Sequence, residues 1–586
     1  MDHALHHLLE PSMEHDVELT VTAGAWPEKI SGRALFIGPA QPTAVDFMFA
    51  GPGILSQVDL ASRHWLTTRV VTPDLAIFAG LSQILPPADL APLLATSRPA
   101  MTNVAPHSFG DRLLLTGLAQ RPVEVDPATF AFHSYLGGVA EYPQVVEHPL
   151  WPGVRTAAHP VEDLDEGCLW WCNTNLQPRG TSRTDVEGPL WVVRWDGQGD
   201  IDTWYVPGAH LVQGVHEVTV TEDYVIFTEI GFQPEPGSVA GRNRTRPHHP
   251  FTDIYLVAKR DLTAARRGRA VPVTHARVPR ESLHHFADYR QDGDNVTLYL
   301  AHSNGWDLNY SLRDSDRVWG TGEPVAKGLR GFVSAPVDAS PVGRYVIDGR
   351  TGEVRDSRQF LDSDRHWATL LYARDMRPAG LETGRHLWQA YWGCDPDMLV
   401  TRVVDLYRDH PHREVPIARL PTREIPSSLV HLDLETMTEK SAWPFPSGTA
   451  GESPVFVPDT DGGPGWVAIV VHHPDRTELQ LFDAHSLGAG PVAVATAPGL
   501  RLSIQFHSLH LPAPRPLGSR VGTSASGLAP ASPVPVPAPV AAGPAPKSAV
   551  TGPAYRRSYA DDLGNAWQDL PTAVGEVVRA VLERHS

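Results

Sequence analysis

Four histidines of this chain lie in segments that read AAHPVED, QGVHEVTVTEDYVIF, SLHHFADYRQDG and SIQFHSLH; they are His159, His216, His284 and His507. Imidazole is the commonest protein ligand for a divalent transition metal. Four neutral donors around a ferrous ion, Fe(2+), would leave its charge uncompensated and its remaining coordination positions open, a chemistry suited to binding O2. Any one of these residues alone is more often structural, since the chain has 28 histidines. The set matters only if separate elements deliver its members to one point.

A recurring turn supplies such elements. An apolar strand end, then Asp, then two or three small or polar residues, recurs in SQVDLASRHW, VEVDPATFAF, VRWDGQGDIDTW, AKRDLTAARRG, YVIDGRTGEV, VHLDLETMTEK and LQLFDAHSL. Aspartate starts such turns because its carboxylate accepts hydrogen bonds from the backbone N–H groups ahead of it. The seven aspartates, Asp59, Asp126, Asp196, Asp261, Asp348, Asp433 and Asp483, are spaced 50 to 87 residues apart. This spacing predicts an all-β chain, a seven-bladed β-propeller whose long insertions form a cap of loops and short helices over one face. His159 falls between the second and third turns, His216 between the third and fourth, His284 between the fourth and fifth, and His507 after the seventh. In a propeller every inner strand faces one axis, so the four would converge.

Composition narrows the function classes. The 586 residues carry a formal charge of −18, which repels nucleic acid in the absence of a segregated basic face. Cys168, Cys172 and Cys394 are too few for a disulfide framework and are expected as core thiols. The opening MDHALHHLLEPSMEHD lacks the basic start and apolar run of a secretory signal, and no apolar run reaches the roughly 20 residues of a membrane span. The expectation is a cytoplasmic protein, with membrane association left open by the apolar insertion at 73–97, PDLAIFAGLSQILPPADLAPLLATS. That insertion could pack as part of the cap, line an apolar tunnel, or make a peripheral membrane contact. Residues 1–515 are read as the propeller domain, 516–554 as a disordered Pro/Ala-rich linker, and 555–586 as a short helical segment with Val574, Val577, Val578 and Val581 at helical spacing.

From about residue 18 to 512 the chain resembles the carotenoid cleavage oxygenases, a family of non-haem iron enzymes that includes apocarotenoid- and stilbene-cleaving members. The resemblance rests on WPEKISGRALFIGP, FMFAGPGILSQVDL, RPVEVDPATF and the four histidine segments, with LHHFADYRQDG resembling the family's FHH.NAYEEDG. It implies a propeller with an axial Fe(2+) held by His159, His216, His284 and His507; His510 is the nearest rival to His507. It also implies glutamates behind the ligands. Glu424 in REIPSS and Glu452 in GESPVFVP resemble two of these, with Glu414 in REVP competing and Ser453 displacing Glu452 by one residue, so that a bulge is needed to restore its aim. A third acid is expected before RPVEVDP, where the chain reads LLLTGLAQ and has none at Gly117, Leu118 or Ala119. AGPG at 50–53 stands where relatives read DGDG, a further mark of divergence.

The activity so implied is dioxygenase cleavage of a conjugated C=C bond, with O2 as co-substrate, in an apolar carotenoid or apocarotenoid to give carbonyl products. A stilbenoid-cleaving enzyme, an alkene isomerase on the same iron, and a non-catalytic lipid-binding propeller are the rival readings. Substrate-binding residues and oligomeric state are not legible in the sequence.

Overall fold

The computed structural model describes residues 3–40, 48–49, 51–81, 83, 102–117, 120–143, 154–174, 177–178, 186–232, 244–374, 385–512 and 572–585. Its strands form seven antiparallel sheets arranged as the blades of a propeller. The inner strands, in chain order, are β1 (Ala105–Phe109), β2 (Val161–Asp163), β3 (Gly214–Val220), β4 (Ser282–Ala287), β5 (Thr369–Arg374), β6 (Ala450–Val457) and β7 (His507–Leu511). The ring closes through the N-terminal segment: Thr20–Gly24 adds an outer strand to the β6 blade, while Arg33–Pro39 pairs with β7.

The Asp-led turns locate the blades because each occupies the same place in its sheet, the connection from third to fourth strand. Asp59, Asp126, Asp196, Asp348, Asp433 and Asp483 each accept a backbone N–H two or three residues ahead at 2.7 to 3.0 Å. Asp261 instead lies in the first turn of the short helix Lys259–Ala264, which occupies the equivalent connection.

Between neighbouring blades lie seven apolar clusters. Trp170 and Val192 pack on Val218 and Phe227, for example, and Trp388 and Leu429 on Phe456 and Ile469. Phe36 and Trp65 pack on Val455 and Val470, which seals the closing blade. An eighth cluster, with Leu5, Leu8, Phe49, Phe232, Trp306, Leu308, Trp367, Trp392 and Phe506, forms the cap over one face of the ring. All three cysteines are free and buried, and burial pushes the thiols of Cys168 and Cys172 up to about 12.

Two helices pack against each other outside the blades. Helix α1 (Pro73–Leu81) takes up the start of the apolar insertion, and α2 (Thr572–His585) is the C-terminal segment. Val578 and Val581 of α2 are buried in one cluster with Ile77 and Leu81 of α1. The helices approach so closely that a Cβ at Gly80 would lie 2.5 Å from Cγ1 of Val577. The α1 segment therefore packs, on one side against the propeller and on the other against the chain's own C-terminal helix. The rest of the insertion from Ile84, the Pro/Ala tract and residues 555–571 lie outside the described residues. Among the described residues no helix is long and apolar enough to cross a membrane.

Candidate metal centre

Four blades bring an imidazole to the axis. His216, His284 and His507 lie on β3, β4 and β7, and His159 lies two residues before β2, where its N–H donates to the carbonyl of His216 at 3.0 Å. One ring nitrogen from each of the four lies within 4.8 Å of the others, and Nε2 of His159 and Nε2 of His507 face each other at 3.1 Å. A metal with bonds to nitrogen of about 2.1 Å separates adjacent ligand atoms by about 3.0 Å and opposite ones by about 4.2 Å. The cluster thus needs shifts of only a few tenths of an ångström to close on an ion.

The electrostatics suit a cation rather than protons. Burial first, and then the neighbouring imidazoles, hold His159, His216 and His507 well below the usual imidazole value. Their lone pairs stay free because a proton on any of them would be desolvated and repelled. His107 on β1, edge-on to His159 at 5.4 Å between ring centroids, is lowered to about 4 by burial, although its Nε2 lies 3.0 Å from the Ala158 carbonyl.

The inner strands are irregular at this level. The pairing register shifts between Val215 and Val218 in β3, Ser282 and His284 in β4, Thr369 and Tyr372 in β5, and Glu452 and Val455 in β6. Bulges of this kind re-aim side chains and suspend the strict alternation of a strand. In β3 the consequence is that Glu217, the residue after His216, also reaches the site. Its Oε2 lies 3.2 Å from Nδ1 of His284 and accepts the His285 N–H at 2.7 Å, while its Oε1 accepts the Tyr372 hydroxyl at 3.0 Å. Burial raises the Glu217 carboxyl, but the hydrogen bond and charge of His284, the charge of His285 and the His285 amide outweigh it and hold the group at about 2. With Nδ1 of His284 engaged by a carboxylate, its Nε2 is the nitrogen left for a metal.

The glutamates expected behind the ligands are placed elsewhere. The bulge expected at Ser453 is present, with Ser453 in the left-handed region at φ 53°, but Glu452 Oε2 accepts the Gln505 N–H at 2.8 Å and lies 3.1 Å from His472 Nε2. Glu424 accepts the Gly448 N–H at 2.8 Å and the Ser447 hydroxyl, with His3 Nε2 at 3.3 Å. Glu414 pairs with Arg280. None of the three is hydrogen-bonded to the four histidines; the carboxylate that is, Glu217, adjoins His216 in sequence, and the alternation of a regular strand would turn it away. His216 Nδ1 is buried with no hydrogen-bond partner, and of the three positions expected for a third acid Leu118 and Ala119 lie outside the described residues.

Two spaces meet the cluster. A cavity of about 190 Å³ is lined by His107, His159, Glu217, His284, Tyr372 and His507, and through Tyr372 and His107 it adjoins a wider one of about 570 Å³ that includes Glu162, Arg374 and His510. On the cap side, His216, His284 and His507 border a small space walled by Phe49, Val104, Phe232, Leu283, Leu308, Leu371 and Phe506. Phe49 packs on Phe232 at 4.7 Å and on Phe506 at 5.1 Å between centroids, so this wall is aromatic and devoid of charge among the described residues.

The family description "retinal pigment epithelial membrane protein" matches residues 9–512. Among solved structures, an apocarotenoid oxygenase of Synechocystis superposes with a TM-score of 0.58 at 16% identity, covering 86% of this chain and 98% of its own. A cobalt-substituted form of the Synechocystis protein gives 0.57 at 16% identity, covering 87% and 98%. A lignostilbene dioxygenase of Pseudomonas brassicacearum gives 0.55 at 18%, covering 86% and 98%. No curated protein matches in sequence.

Proposed function

The chain belongs to the carotenoid cleavage oxygenase family, and from that premise we propose that it is an Fe(2+)-dependent dioxygenase cleaving a conjugated C=C bond of an apolar polyene, a carotenoid or apocarotenoid, with O2. The observation that carries the proposal is the convergence of His159, His216, His284 and His507, one from each of four blades, beside an aromatic, uncharged wall.

In this reading His159, His216, His284 and His507 would hold the ion, and iron, when bound, would supply the activation of O2 at the coordination positions the histidines leave free. The protein's own residues do the rest. Phe49, Phe232 and Phe506, with Leu283, Leu308 and Leu371, would keep water from the cap side of the histidine cluster, where they leave a space of only about 30 Å³. Glu217 orients the His284 ring and would add one negative charge behind the ligand set. Addition of O2 across C=C yields two carbonyl groups with atoms and electrons balanced, so no side chain is needed as a reductant. No acid or base step is assigned, and among the described residues the apolar wall offers no carboxylate or amine for one.

Anaerobic reconstitution with ferrous iron tests the reading. The expected result is about one iron per chain, lost in each of His159→Ala, His216→Ala, His284→Ala and His507→Ala, with O2 consumed and aldehydes formed from a panel of apocarotenoids. Turnover of stilbenes alone would move the substrate class. Alkene isomerisation without O2 uptake would make the chain an isomerase, and iron binding without turnover of any alkene would leave a binding protein.

A further inference from the structure

We propose that Tyr372 is a positioning residue of the metal centre, acting through Glu217 to set the direction of the His284 ring. The inference rests on the oxygenase reading for the metal.

β5 is an inner strand that brings no histidine to the axis. Its register shift between Thr369 and Tyr372 turns the phenol inward, where the hydroxyl donates to Glu217 Oε1 at 3.0 Å. The other carboxylate oxygen is then occupied by the His285 N–H at 2.7 Å and lies 3.2 Å from His284 Nδ1. Three inner strands, β3, β4 and β5, thus meet on one carboxylate. A carboxylate pinned at both oxygens has one orientation; pinned at one, it can swing about its last bond and take the His284 ring with it. The phenol is itself held. Its ring stands edge-on to His284 at 5.9 Å and 87°, and packs on Phe286 at 5.2 Å, whose other contacts include the Arg374 guanidinium at 4.1 Å. Burial and the Glu217 charge push the Tyr372 hydroxyl well above its usual value, so it remains a donor.

A ligand's supporting acid must approach from the side away from the metal, and the bulge after Val215 delivers Glu217 there from the same strand as His216. A glutamate on an irregular stretch of strand has little rigidity of its own, which gives the phenol its task.

The test is the rate at which the full-length, iron-loaded protein yields Fe(2+) to a coloured ferrous chelator under anaerobic conditions. Changes behind metal ligands typically cost about 10 to 100-fold in affinity. Glu217→Gln should release iron faster by that range and Tyr372→Phe by about 10-fold. The double variant should release it no faster than Glu217→Gln, because the phenol acts only through the carboxylate. A packing defect at Tyr372 would instead multiply the two effects and lower the melting temperature of the metal-free chain, which Tyr372→Phe should leave within a few degrees. Tyr372→Leu, which also removes the ring that packs on His284 and Phe286, is the packing control and should lower the melting temperature of the metal-free chain where Tyr372→Phe does not. Unchanged release in Tyr372→Phe, or multiplied effects in the double variant, overturns the proposal. A wild-type chain that takes up no iron overturns the oxygenase reading and this inference with it, whereas iron-retaining wild type with an unresponsive Tyr372 overturns the inference alone.

Discussion

Acidification should destabilise the metal-free fold steeply just below neutral pH. Burial lowers His107, His285 and His366 to about 4 and His302 to about 3, from an ordinary value of 6.5. A histidine lowered in the fold takes up its proton only in the unfolded chain, so stability is complete above about 6.5 and falls as pH drops through it. Between pH 7 and pH 5.5 each such group costs about 1.2 kcal/mol, and the four together about 5 kcal/mol. Two buried carboxyls oppose them: Glu229 is raised to about 7 and Asp338 to about 6, both by burial. A raised acid binds its proton in the fold first, which returns about 2 kcal/mol over the same interval. The net loss is about 3 kcal/mol, a large share of the 5 to 15 kcal/mol that holds a typical domain together. His159, His216 and His507 push the same way, and the Glu162 carboxyl, raised by burial, pushes the other. Urea denaturation at the two pH values, followed by tryptophan fluorescence, reads the difference. His366→Phe, which keeps the stacking on Tyr391 at 4.5 Å, should weaken the protein at both pH values but narrow the gap by about 1.2 kcal/mol. Equal midpoints at pH 7 and 5.5, or a higher one at 5.5, would refute the assignment of these imidazoles as neutral.

Other perturbations separate neighbouring assignments. His510→Ala should leave iron retention intact where His507→Ala abolishes it, because Nε2 of His510 already lies 3.2 Å from the Ser31 carbonyl; the reverse outcome in metal analysis would exchange their roles. Ser453→Val should cost about 2 to 4 kcal/mol in chemical denaturation, since a β-branched residue is forced to φ 53° and the hydroxyl bond to the Gln505 carbonyl is lost, whereas Ser453→Gly should cost under about 1 kcal/mol. Truncation after residue 515 removes α2 from α1; iron stoichiometry should hold while stability drops by about 1 to 3 kcal/mol and binding of an apolar dye rises, and loss of a cooperative transition would move the domain boundary.

What the sequence discloses, and what it hides, follows the range of the forces involved. The Asp-led turns are legible because a carboxylate accepting N–H groups two or three residues ahead is a local device, repeated in six blades and replaced by a short helix in the seventh. The histidines are legible as a set because a propeller sends every inner strand to one axis. Glu217 is hidden by the same reasoning that works for the histidines: alternation assigns the residue after His216 to the opposite face, and only the register shift between Val215 and Val218 brings both to one site. Glu452 is the converse case. The extra Ser453 announces a bulge, and the bulge is there, yet the Glu452 carboxylate accepts the amide of Gln505, 53 residues on, and lies beside His472 of the neighbouring strand, a choice no local pattern encodes. The valine spacing of α2 likewise announces a helix without naming α1 as its partner. Across these cases periodicity predicts which residues can face a site, and irregularity decides which of them do. A metal centre built at the bulged ends of inner strands is therefore where reading by period is weakest, and where the hydrogen bonds of Glu217 and Tyr372 carry information that only the folded chain contains.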